Sequence, residues 1–76
     1  MKIEILGTGC PKCEALMNNA KIAVQELGID ADVSKVTDIV EIANRGVMMT
    51  PALSIDGEIK IVGKLATTEE IKALLS

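Results

Sequence analysis

Apolar and polar positions alternate in short blocks along the chain, and each block has a readable period. Lys2-Ile3-Glu4-Ile5-Leu6 is a β-branched run that stops at Gly7-Thr8-Gly9, which predicts a strand. From Pro11 onward the period changes. Cys13, Leu16, Met17, Ala20, Val24 and Leu27 recur at three- and four-residue spacing, the mark of one apolar helix face. Pro11 suits the first helical position, where its missing N–H costs nothing, and Gly28 is placed to end the helix in a left-handed conformation.

Residues 31–36 read as a second strand, and the helix between the two strands supplies the crossover that parallel pairing needs. Thr37 or Asp38 can cap a short second helix, with Ile39, Ile42 and Ala43 expected on its buried side and Gly46 beyond its end. An apolar loop, Val47-Met48-Met49-Thr50, leads into Pro51. The β-prone runs 52–55 and 58–62 flank Asp56-Gly57, a strong hairpin signal because both turn residues must accept positive φ. Thr67-Thr68-Glu69-Glu70 has the form of a capping box opening a last helix, with Ile71, Leu74 and Leu75 facing inward. The expected order is β-α-β-α-β-β-α, an α/β fold with a four-stranded mixed sheet flanked by helices.

The 76 residues are expected to form one domain, 1–76, whose core is built efficiently because small domains bury only about 60–65% of their unfolded surface. That core is aliphatic. Hydrophobic residues make up 49% of the chain, yet it contains no Phe, Tyr or Trp, so base stacking and aromatic caging of ligands are excluded. The formal charge is −3, with the eight basic residues scattered, which speaks against nucleic acid and anionic membrane as partners. No transmembrane stretch or signal h-region is present, so the expectation is a cytoplasmic protein, and a monomer.

Chemistry concentrates in Cys10-Pro11-Lys12-Cys13. A bridge closing so short a loop removes little chain entropy and is a poor structural staple, and cytosolic disulfides are usually catalytic or transient. Cys10 falls where strand loop meets helix, and free N–H groups at a helix start stabilise a thiolate. Lys12 can add to that effect or stand in solvent. Cys13, one turn further along the apolar stripe, is the shielded partner. The spacing gives an attacking sulfur and a resolving one, with Cys10 and Cys13 as the expected catalytic pair and a redox-active disulfide in place of any cofactor. A zinc site normally takes four ligands, and the chain has no His and no further Cys, so no metal is expected.

With Cys-Pro-Lys-Cys, Thr50-Pro51 and the Asp56-Gly57 hairpin in this order, the sequence resembles the thioredoxin superfamily, most closely its minimal, glutaredoxin-sized members in archaea and bacteria. The resemblance runs over nearly the whole chain. It implies a cis peptide at Thr50–Pro51, with Pro51 beside the motif cysteines and the backbone of Thr50 offered to an extended substrate segment. It also places Gly63 where glutaredoxins carry a glycine before the last helix, making Thr50, Pro51 and Gly63 the substrate-binding set. The implied partners are protein disulfides as substrates, with a disulfide reductase or a small thiol as electron donor. The chain departs from thioredoxins in having Gly9 before the first cysteine and Pro-Lys between the two, and from glutaredoxins in carrying Lys12 in the motif. Glu4 occupies a place comparable to thioredoxin's buried acid, although strand alternation equally allows it to face solvent. Met48 and Met49 suit either a substrate groove or gaps in the core.

The alternative reading is a soft-metal or metalloid carrier using the same two sulfurs. Copper chaperones also start a helix with Cys-x-x-Cys, but they follow it with two strands, a helix and a final strand. This chain is expected to place a helix before its hairpin and to end on a helix, which favours the oxidoreductase.

Overall fold

The computed structural model describes residues 1–9 and 11–75. The elements are β1 (Lys2–Leu6), α1 (Pro11–Leu27), β2 (Asp32–Val36), α2 (Ile39–Asn44), β3 (Ala52–Ile55), β4 (Glu58–Val62) and α3 (Thr68–Leu75). They follow the expected order. The sheet runs β2-β1-β3-β4. β1 pairs in parallel with β2 and antiparallel with β3, and β3 pairs antiparallel with β4, so the sheet is mixed.

Alternation along β1 sorts its side chains to two faces. Ile3 and Ile5 join Leu53, Ile55 and Ile61 beneath α1 and α3, where Leu16, Met17, Ala20, Ala23, Ala66 and Ile71 complete the main core. Each of the Ile, Leu and Met side chains, fully buried, contributes roughly 1.5–3 kcal/mol. On the other face, Leu6 and Ala52 meet Ile42 and Val47, a smaller cluster under α2 and the turn that follows it.

The local signals act as their chemistry requires. Gly28, at φ 66°, closes α1 by donating its N–H to the Val24 carbonyl at 3.0 Å. Asp56 and Gly57, at φ 51° and 87°, form the β3–β4 turn. Before α3, the Thr67 hydroxyl accepts from the Glu70 N–H while the Glu70 carboxylate accepts from the Thr67 N–H, each at 3.2 Å.

Two expected helix faces need correction. In α2 only Ile42 is buried; Ile39 is 69% exposed and Ala43 is exposed as well. Six residues make fewer than two turns, too short for a full apolar stripe to face the sheet. In α3 Ile71 is fully buried in the main core and Leu75 packs against it, but Leu74 is 40% exposed, because a single helix turns only one stripe to the core.

Candidate active site

The first link is a strand that ends in glycine. Gly7 follows β1 and is buried, its N–H donating to the Val36 carbonyl at 3.0 Å. The Cys13 side chain packs directly against its Cα. A methyl group placed on Gly7 would overlap the Cys13 sulfur and would lie 3.8 Å from the Thr50 Cβ. Gly7 therefore does more than permit a turn. It makes the space in which the sulfur sits, and the end of β1, the first turn of α1 and residue 50 meet around it.

Cys13 is 5% exposed and lies in the first turn of α1, which Pro11 begins. Pro11 and Lys12 are both exposed. Cys10 lies outside the described residues. The Thr50–Pro51 peptide bond is cis, with Pro51 buried and Thr50 exposed. The Pro51 carbonyl accepts from the Gly63 N–H at 2.8 Å, which joins the end of β4 to this loop. Gly63 has φ 67°, and the Met49 side chain lies 3.1–3.5 Å from where a Gly63 Cβ would be. Cys13, Thr50, Pro51 and Gly63 are thus gathered at one end of the sheet.

A groove of about 220 Å3 opens beside Thr50. The described residues that line it, among them Thr8, Ile42, Val47 and Met48, carry no charge. Met48 is 91% exposed and Met49 is mostly exposed, so neither fills the core. A larger hollow, about 420 Å3, lies between β4 and α3 and includes neither Cys13 nor Thr50.

Glu4 holds a place that strand alternation left open. It is only 6% exposed, on the α2 face of the central strand. Arg45 grips it with both terminal nitrogens, Nη1 to Oε1 at 2.8 Å and Nη2 to Oε2 at 3.2 Å, and Ser54 Oγ lies 3.5 Å from Oε1. The Arg45 hydrogen bond outweighs desolvation and holds the Glu4 carboxyl below its ordinary range. The same contact, helped by Glu41, raises the Arg45 guanidinium. Sequence reading missed both the pairing and the role of Gly7. The available signal was an acid at the centre of a strand, which once buried needs a cation as partner.

The model of the Thioredoxin domain family matches residues 1–76. The chain belongs to the thioredoxin domain family. A thioredoxin of Methanothermobacter thermautotrophicus (strain Delta H) is 50% identical over 76 residues, covering all of this chain and 99% of that protein. A thioredoxin of Methanocaldococcus jannaschii is 53% identical over 70 residues, covering 92% of this chain and 80% of that protein. The thioredoxin family is one of thiol–disulfide oxidoreductases, and its fold matches the mixed sheet and flanking helices described above. In this thioredoxin-family chain no described helix is long and apolar enough to cross a membrane. Among the described residues, no group of three or more His, Cys, Asp or Glu side chains is placed to hold a metal ion.

Proposed function

We propose that the chain reduces protein disulfides by dithiol exchange through Cys10 and Cys13, as a cytoplasmic monomer. The Cys10 thiolate attacks one sulfur of a substrate disulfide; the substrate S–S bond breaks, and a mixed disulfide forms as the other substrate sulfur leaves as thiolate. Cys13, losing its proton, then attacks the Cys10 sulfur. The mixed disulfide breaks, the second substrate sulfur leaves, and a Cys10–Cys13 bridge remains. Two electrons have passed to the substrate, whose sulfurs take up two protons. A disulfide reductase or a small thiol restores the dithiol, and no cofactor is required.

The observation that carries this reading is the placement of Cys13: buried, in the first turn of α1, against Gly7 and close to Thr50. That suits a resolving sulfur, shielded until its neighbour in the motif has reacted. The start of α1 favours a thiolate at Cys10, with Pro11 fixing the entry to the helix and Lys12 adding positive charge. Thr50 and Pro51 offer backbone to an extended substrate segment, with Gly63 supporting that loop. The uncharged groove beside Thr50 suits an apolar side chain flanking the substrate cysteine, and it supplies no cation for the carboxylates of a small peptide thiol.

The test uses a purified disulfide-bonded protein as substrate. Wild type reduces it, Cys10→Ser abolishes the reaction, and Cys13→Ser stops at a mixed disulfide bonded through Cys10. Reduction by Cys10→Ser at the wild-type rate would overturn the reading.

A further inference from the structure

The proposed reaction requires Thr50 to be held beside Cys13, yet the segment that delivers Thr50 has little to hold it. Its base is α2, six residues with Ile42 alone buried, while Ile39 and Val40 face solvent. A helix of that length has almost no stability of its own. Two contacts fasten its end. Gly46 donates to the Ala43 carbonyl at 3.0 Å and Val47 to that of Ile42 at 3.3 Å, a paired closure that tucks Val47 against Ile42. The second contact comes from Arg45, which caps α2 and reaches the sheet from that position. Its Nε bonds Glu41 within α2 at 3.1 Å while its two terminal nitrogens clasp Glu4.

Glu4 is a rigid point to hold. It lies mid-strand on β1, paired with Ser34 of β2 on one side and Ser54 of β3 on the other. Arg45 is five residues before Thr50, and Val47 is the only buried residue between them. A planar fork gripping a carboxylate at two points fixes orientation as well as distance.

We infer that Arg45 is a positioning residue for the proposed reaction: by clasping Glu4 it bolts the end of α2 to the central strand and so sets the 47–50 loop against the Cys13 pocket. It acts through the loop, on how well a protein disulfide is held. The chemistry of a small disulfide, which needs no loop, is left alone.

The inference rests on the proposed exchange reaction, and its test separates the two. Arg45→Gln breaks the clasp while leaving Glu4, its strand and both motif cysteines as they are. For this variant KM for a disulfide-bonded protein should rise about tenfold with kcat within about twofold, because ground-state and transition-state holding are lost alike. Its rate with a small aromatic disulfide should stay at the wild-type level, and the amides of residues 47–50 should exchange with solvent faster. Arg45→Lys, which keeps the charge but not the fork, should fall between wild type and Arg45→Gln and serves if Arg45→Gln does not fold. An unchanged KM, or unchanged exchange at 47–50, would overturn the inference. Should the wild-type chain reduce no protein disulfide, the reaction is refuted, and amide exchange alone then decides whether the clasp sets the loop.

Discussion

Gly7 shows how one missing methyl can decide a site. Any side chain there competes with the Cys13 sulfur for the same volume. Gly7→Ala should therefore destabilise the fold by about 1–3 kcal/mol, as overpacking does, and should slow resolution of the mixed disulfide more than its formation. Chemical denaturation checks the first effect and stopped-flow kinetics the second. Glu4 makes a separate prediction. Its folded carboxyl titrates below the ordinary 4.5, so the stability it supplies is fully present above that value and is lost as pH falls through the depressed one. Removing Arg45 takes away the largest cause of that depression and leaves desolvation opposed only by weaker contacts. A carboxyl-carbon NMR titration of Arg45→Met should find the Glu4 midpoint moved upward, and an unmoved midpoint would deny the pairing.

The elements vary in how plainly the residues announce them. Asp56-Gly57, Gly28 and the Thr67–Glu70 box each carry a conformational or hydrogen-bonding reason within a few residues, and each stands where local chemistry puts it. Thr67→Ala should accordingly cost about 1 kcal/mol, read from the denaturant midpoint, because it frees an N–H at the start of α3. The helix α2 was harder to read. Its apolar residues suggested a buried face, but only Ile42 packs on the sheet, and the second tie is an ion pair between residues 41 positions apart, which no local period can reveal. The same holds for Gly7, whose role depends on a sulfur six residues later folding back across it. The Cys-x-x-Cys motif itself was legible because spacing alone puts Cys13 on the buried stripe of α1.

At the scale of the whole molecule, two unequal cores share one sheet. The larger, under α1 and α3, supplies most of the burial and holds α1 with Cys13 on it. The smaller, under α2, is thin and shares its face with an ion pair. Leu16→Ala, deep in the larger core, should cost about 2–5 kcal/mol in global unfolding. The smaller cluster should open locally well before that, visible as faster amide exchange over residues 39–50 than over α1. A stable sheet with one loosely held shoulder fits the proposed exchange, in which a fixed sulfur meets an extended substrate segment.

The proposed exchange depends on Cys10 and Cys13 forming one reversible redox couple. The direct measurement equilibrates the reduced chain with a disulfide-bonded protein, quenches with acid, alkylates free thiols and maps the result by mass spectrometry. Both cysteines should become protected together, bonded to each other, in step with substrate reduction, and reductant should free them again. Two cysteines that stay open to alkylation while the substrate keeps its disulfide would contradict the exchange.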